Sequence, residues 1–387
     1  MYNHAAMLQY YGGAIHVSWK NAPLKEDTPG QRVLYSFSTD GTTWSKPIIL
    51  FPNMSSTKTP SAQFAGPYAT INGHLYASAT PAVIADGDAQ GAQFCLWPDG
   101  LEPRNCATPD RPGSQPKDLL MMRRILGNGI FGHVFWVYEN FPKEYTEASK
   151  ANGIKTLDEM DQSTQDDIQH LLGNGVGNSF TPPCETTDNS SGTLKCEGCK
   201  GGCQIMSSPG VIGHGIANER TRYSVPHSNT DVILFRAHSN SLWASIRDAG
   251  ATAPSQTEWS PIINTNIPND NSNLNAGPLP SQKGVYLLHN AAPAKVRDPL
   301  TISLSADGYN FSSCRVIQTC TDLAHKKSSC KARQKDNHNV GPSYPQGLGI
   351  VSPAPEELVG FYVVATNNKE DVVITKVPWF SILSPLI

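Results

Sequence analysis

Charged side chains are scarce in this chain, at 16% of 387 residues, and neither sign dominates: 30 Lys and Arg stand against 33 Asp and Glu, a formal net charge of −3. Without a cationic surplus there is no electrostatic reason to expect nucleic acid or an anionic membrane as partner, so an anionic ligand has to be met by a local basic pocket. Long apolar runs are missing too: none has the length of a membrane-spanning helix, and the chain is expected to be soluble. No leader segment opens it, and nine cysteines leave one thiol over after pairing. Both features predict that the numbering begins inside a longer precursor.

What the chain has in quantity is turn chemistry. Its 32 Gly and 30 Pro punctuate short runs rich in β-branched and aromatic residues, which predicts an all-β fold. The first fifty residues divide into four strands: Ala5 to Tyr11, Ala14 to Lys20, Arg32 to Ser38 and Ser45 to Phe51. Four further units follow. Their first strands begin at Gly66, Thr221, Leu274 and Gly347, and the last unit shows three strands only. Between Lys143 and Gly173 the apolar residues Leu157, Met160, Ile168, Leu171 and Leu172 are interleaved with acids, predicting one amphipathic helix with the acidic run Asp158 to Asp167 as its solvated face.

The cysteines cluster in loop-like sequence: Cys95 and Cys106, then Cys184, Cys196, Cys199 and Cys203, then Cys314, Cys320 and Cys330. That pattern reads as disulfide-stapled insertions. The second group would equally satisfy a tetrahedral zinc site. Disulfides are favoured because the sequons at Asn53, Asn189 and Asn310 fit an exported glycoprotein.

Two segments follow one rule, Ser-x-Asp-Gly-x-x-aromatic: Ser38, Asp40, Gly41 and Trp44 in one, Ser305, Asp307, Gly308 and Phe311 in the other. Asp accepts backbone N–H bonds, Gly supplies positive φ, and the aromatic ring anchors the hairpin. This turn resembles the Asp-box of the sialidase-type β-propellers. The resemblance implies one β-propeller catalytic domain over residues 1–387, with five to seven blades, seven favoured, and an insertion at 143–215 that carries the helix and a Cys-rich loop. In such a propeller the missing strand of the closing blade comes from the other end of the chain.

In such propellers the loops leading into the innermost strands line the binding face. That rule selects Asn3 and His4, then His214 with Arg220, Arg222 and Tyr223, then Asn273 and Asn275, then Tyr344 and Gln346. Other residues read as structural: His16, His74 and His133 as packing or surface side chains within strands, Arg236 and Arg247 as solvent-facing strand ends. A more specific likeness runs through Asn3-His4, Asp27 to Arg32, Arg222-Tyr223, Asn275 to Pro280, Arg297 to Ser305, Tyr344-Pro345 and Asn368 to Pro378. In that order these segments resemble the propellers that include rhamnosyl-glucuronate hydrolases, ulvan lyases and fungal rhamnose-glucuronate lyases. An Arg-Ile-Pro motif near the start, which a true sialidase carries, is absent.

The resemblance implies a secreted polysaccharide lyase that cleaves the L-rhamnose-α-1,4-D-glucuronate linkage of plant gum or arabinogalactan-type glycans. A rhamnosyl-glucuronate hydrolase, an ulvan lyase and a non-catalytic glycan-binding propeller are the alternatives. Hydrolysis ordinarily needs two carboxylates flanking the bond, whereas the selected residues are His, Tyr, Arg and Asn, a set suited to β-elimination. His4, His214 and Tyr223 are the acid-base candidates; Asn3, Arg220, Arg222, Asn273, Asn275, Arg297, Tyr344 and Gln346 are expected to bind substrate. No cofactor is required by this chemistry, a structural calcium ion is allowed without assignable ligands, and the chain is expected to act as a monomer on uronate-containing glycans.

Overall fold

The computed structural model describes residues 2–24, 28–56, 60–83, 94–95, 104–105, 120–138, 145–173, 217–237, 241–248, 260, 263–269, 272–279, 284–291, 297–311, 313–320, 341–350 and 360–378. They fall into two compact units, one within Met1–Cys184 and one within Gln204–Ile387.

In the first unit β1 (Tyr2–Tyr11), β2 (Ala14–Ala22), β3 (Arg32–Ser38) and β4 (Ile48–Phe51) form an antiparallel sheet in chain order. β5 (Ser61–Ile71) and β6 (His74–Val83) begin a second sheet, interrupted by the two-residue strands β7 (Phe94–Cys95) and β8 (Arg104–Asn105), which pair with each other. The sheet resumes with β9 (Met121–Gly127) and β10 (Ile130–Trp136), giving the order β5-β6-β9-β10. Tight turns set these registers: Gly12 and Gly13 lie at φ +56° and +78°, Asn72 and Gly73 at +48° and +80°, the left-handed values that two-residue hairpins need.

Val33, Tyr35 and Leu50 of the first sheet bury against Ala65, Leu75, Met121 and Trp136 of the second. Arg123 of β9 covers the Phe131 ring at 4.6 Å and donates to the Leu50 carbonyl of β4 at 2.8 Å.

The predicted helical segment is two helices: α1 (Thr146–Ala151) and α2 (Gln162–Gly173), with a single 3-10 turn, Leu157–Glu159, between them. Gly153 at φ +63° ends the first, and Asp161 accepts the Thr164 N–H at 3.0 Å to start the second, as an N-cap should. Ile168 and Leu171 pack with Tyr76, Met122 and Phe135. Asp167 corrects the reading of a wholly solvated acidic face. It is buried, accepting from Asn72 Nδ2 at 3.0 Å, His74 Nδ1 at 2.7 Å and the Tyr76 hydroxyl at 2.7 Å.

The second unit holds three sheets. β11 (Ala217–Ser224), β12 (Thr230–Ala237), β13 (Ser241–Asp248) and β14 (Ile263–Pro268) form one; β15 (Asn275–Pro278), β16 (Val285–His289), β17 (Leu300–Ser305) and β18 (Ser313–Gln318) the next; β19 (Pro342–Ile350), β20 (Gly360–Asn367) and β21 (Asp371–Val377) the last. Tyr223, Val232 and Leu234 pack on Leu274, Ala276 and Leu287, and Leu288 and Ile302 on Phe361 and Val363. First strands of successive sheets are neighbours, β1 with β5, β11 with β15 and β15 with β19, the arrangement of propeller blades.

The second-position strands β2, β16 and β20 are buried at every residue. Four of the five first strands carry the same irregularity. His4 to Met7 oppose Lys20 to Ser18, Ala65 to Tyr68 oppose Ala79 to Ala77, Ala217 to Arg220 oppose Ala237 to Phe235, and Ser343 to Gln346 oppose Thr366 to Val364. Three steps on the first strand face two on its partner each time, so each holds one extra residue, a β-bulge.

Both Asp-box turns form as the sequence predicts, between third and fourth strands. Asp40 Oδ1 accepts the Thr42 and Thr43 N–H groups at 2.7 Å each; Asp307 Oδ1 accepts those of Tyr309 and Asn310 at 2.8 and 2.7 Å. Gly41 and Gly308 sit at φ +72° and +76°. These N–H bonds hold both carboxyls well below the usual aspartate range. Of the cysteines, Cys320 is disulfide-bonded and Cys314 is a free, exposed thiol. The proposed Cys184, Cys196, Cys199 and Cys203 group lies outside the described residues, as do Cys106 and Cys330.

Candidate functional site

In the second unit the leading end of β19 draws three large polar side chains together. Tyr344 occupies the bulge at φ +56°, a strained conformation for a bulky residue. Its hydroxyl oxygen accepts from Arg236 Nη1 at 3.1 Å, and the Arg297 guanidinium lies over its ring, 5.5 Å from the centroid. Arg236 is 9% exposed and Arg297 4%. Arg297 Nη1 is buried without a hydrogen-bond partner. A buried, incompletely satisfied cation is costly unless an anion or acceptor meets it.

Arg236 is buried rather than at a solvent-facing strand end, the position its sequence suggests. It lies between Phe235 and Ala237, the β12 residues that flank the β11 bulge. An arginine closing an otherwise apolar strand (Val232 to Phe235) was the available signal.

Other expected binders are used by the protein itself. Arg222 Nη2 bonds Asp231 Oδ2 at 2.6 Å, and Arg247 reaches the same oxygen from Nε and Nη2 at 3.1 and 3.0 Å; this internal carboxylate replaces the substrate carboxylate expected for Arg222. Burial pushes the Asp231 carboxyl up, but the bond from the Ser224 hydroxyl, together with the two arginines, holds it below the ordinary carboxylate range. The Tyr223 hydroxyl donates to the Gly308 carbonyl at 2.7 Å, and its ring meets Phe311 edge-on at 6.4 Å and 85°. Burial pushes that phenol well above its usual range, and the residue anchors an Asp-box turn where an acid-base group was expected.

Asn275 Oδ1 accepts from the Tyr286 hydroxyl at 3.0 Å and the Gly347 N–H at 2.9 Å. This bridges β15, β16 and β19 and leaves only the Nδ2 group for a ligand. Asn273 caps the neighbouring Leu274 N–H at 2.8 Å, the turn-forming role of Asn. Gln346, half-buried, faces Val364 in the pair that closes the Tyr344 bulge. Arg220 closes the β11 bulge opposite Phe235, its side chain outside the described residues. His214 also lies outside them.

In the first unit His4 is fully buried on β1, paired with Lys20 and edge-on to Tyr2 at 5.7 Å and 66°. Asn3 Oδ1 accepts from the Trp19 indole at 2.9 Å and from Asn21 Nδ2 at 2.8 Å, and Asn21 Oδ1 in turn accepts from Arg32 Nε at 3.1 Å. Asn3 thereby ties together the β1, β2 and β3 ends. Among the described residues no group of three or more His, Cys, Asp or Glu is placed to hold a metal, and no helix is long and apolar enough to cross a membrane.

Blade-like sheets of three or four strands, joined side by side through their first strands within each unit, define an all-β protein with a propeller-type fold. The comparisons agree. The family described as Beta-prop_BT_1020:-like, N-terminal beta propeller matches residues 1–71. No curated protein sequence matches the chain. Among solved structures, a sialidase aligns with a TM-score of 0.61 at 20% identity, covering 98% of this chain and 31% of that one. Trypanosoma rangeli sialidase bound to the inhibitor DANA aligns at 0.50 and 10% identity, covering 99% of this chain and 56% of that one. The chain therefore spans less than a third of the first protein's length and little over half of the second's. At these identities the likeness is one of fold.

Proposed function

We propose that this propeller is a secreted carbohydrate-active lyase that cleaves the L-rhamnose-α-1,4-D-glucuronate linkage of gum or arabinogalactan-type glycans by β-elimination, at the bond between C4 of the glucuronate and the glycosidic oxygen. The observation that carries the reading is Arg297, a buried guanidinium with an unpartnered Nη1 beside a tyrosine already bonded to a second arginine. A uronate carboxylate supplies the missing acceptor and charge. With its carboxylate held by Arg297, the sugar's C5–H becomes acidic enough to be removed and the resulting enolate-like charge is stabilised.

The electrons of the C5–H bond form the C4–C5 double bond as the C4–O bond breaks. The rhamnose keeps that oxygen, which takes up a proton. Tyr344 is suited to a proton-transfer role, since Arg236 donates to its oxygen and stabilises the charge left when the phenol gives its proton away.

Incubating the protein with rhamnosyl-glucuronate oligosaccharides tests the reading. A lyase produces an ultraviolet-absorbing unsaturated uronate together with free rhamnose. Rhamnose without absorbance would make the chain a hydrolase, and binding without turnover a lectin; either result overturns the proposal.

A further inference from the structure

Asn290 follows β16, is fully buried, and its Oδ1 has no hydrogen-bond partner. Its Nδ2 faces three backbone carbonyls: Arg297 at 3.0 Å, Pro299 at 3.1 Å and Pro342 at 2.9 Å. The orientation of the amide is fixed by chemistry, because only an NH2 group can face three acceptors. Two of those carbonyls belong to the segment that carries Arg297, and the third stands two residues before Tyr344. One side chain therefore joins the main chain of the buried cation to the strand end that presents its aromatic partner.

A second contact closes the same seam. Gly341 lies at φ +121°, and a Cβ there would fall 2.3 Å from the Arg297 carbonyl oxygen and 3.2 Å from Asp298 Cβ. Only glycine permits this approach. The Gly341 N–H is in turn held by Asn368 Oδ1 at 2.9 Å. The main chain of Arg297 thus rests on β19 through Asn290 on one side and a bare glycine on the other.

We infer that Asn290 is a positioning residue for carboxylate recognition: it sets Arg297 against Tyr344, and with Gly341 it determines how strongly the site prefers a free uronate over its uncharged ester. The inference rests on the carboxylate reading of the cluster. A guanidinium displaced by an ångström still fills its space but no longer meets a carboxylate squarely, and misplacement on that scale costs roughly a hundredfold. Loss of the amide should therefore act on charge discrimination more than on the fold.

The experiment compares binding of rhamnosyl-glucuronate and of its methyl ester by calorimetry, for the unaltered protein, Arg297→Gln, Asn290→Ser and Gly341→Ala. Asn290→Ser keeps a small polar side chain in place of the amide, and Gly341→Ala moves the Arg297 main chain while leaving Asn290 intact. Thermal unfolding identifies folded variants. The expectation is that the ratio of free-acid to ester affinity drops in Arg297→Gln, and drops roughly tenfold or more in each folded Asn290 and Gly341 variant. An unchanged ratio in Arg297→Gln overturns the carboxylate reading itself. A reduced ratio in Arg297→Gln with an unchanged ratio in either folded positioning variant overturns the role given to Asn290 and its seam.

Discussion

Arg222 Nη2 stands 2.6 Å from Asp231 Oδ2, an oxygen that Arg247 also reaches at 3.0 Å, while Ser224 donates to the other oxygen at 2.8 Å. An arginine expected to hold a substrate carboxylate is paired instead with one from its own sheet. Arg222→Ala should therefore lower stability, by about 1–3 kcal/mol for a lost charge-assisted bond, and leave KM and kcat where they were. Denaturant titration together with steady-state kinetics separates the two effects. A raised KM with unchanged stability would return Arg222 to the binding set.

Tyr223 offers a parallel case. Its hydroxyl spans from β11 to the Gly308 carbonyl in the second Asp-box, so Tyr223→Phe removes one buried hydrogen bond and little else. The expected loss is about 1 kcal/mol, seen as a lower unfolding midpoint with turnover preserved. Abolished turnover in a stable Tyr223→Phe protein would restore it as an acid-base residue.

His289 is held as a neutral imidazole between Pro268, whose carbonyl takes the Nδ1–H at 2.8 Å, and the Ser303 hydroxyl at Nε2, also 2.8 Å. Burial pushes it down from its usual value of 6.5 to about 4. With the folded value below the unfolded one, the folded state binds fewer protons. The stability it contributes at neutral pH is lost as pH falls from about 6.5 towards 4, on the order of 3 kcal/mol for a shift of that size. Urea unfolding on both sides of this window should show the decline, and His289→Gln should flatten it. An equally steep decline in the variant would assign the effect to other groups.

Tyr344 and Arg236 are proposed to act as a unit. Tyr344→Phe and Arg236→Gln should each reduce turnover by about 10²–10⁴-fold, the usual worth of a positioned acid-base group. The double variant should lose little more than either single one, since residues that share one function are not additive. Multiplicative losses in the double variant would show that the two work separately.

The fold was legible wherever local chemistry and strand parity agreed. Asp40 and Asp307 build the turns their sequences specify, and β3 (Arg32–Ser38) has the bounds expected of it. First strands were read short: they begin at Tyr2, Ser61, Ala217 and Pro342, where alternation suggested Ala5, Gly66, Thr221 and Gly347. Each omitted piece reaches the bulge or its closing pair, where the extra residue breaks the period-two pattern. The regular β15 was placed within one residue.

The same slip concealed part of the candidate site. The strand ends carrying His4 and Tyr344 were located from their motifs. Arg236, which lies between the residues flanking a bulge, was assigned to solvent. The destinations of Arg222 and Tyr223 depend on partners 9 and 85 residues away, which no local pattern records.

Arg123, reaching across from β9 to the Leu50 carbonyl, has a bearing on solubility. β4 is the outer strand of its sheet, four residues long, with Ile48 and Ile49 exposed by 36% and 47%. A short apolar edge with unpaired carbonyls invites another chain to add a strand. The guanidinium occupies that acceptor and sets a positive charge beside it, so the blade edge is guarded against self-association by a neighbouring sheet.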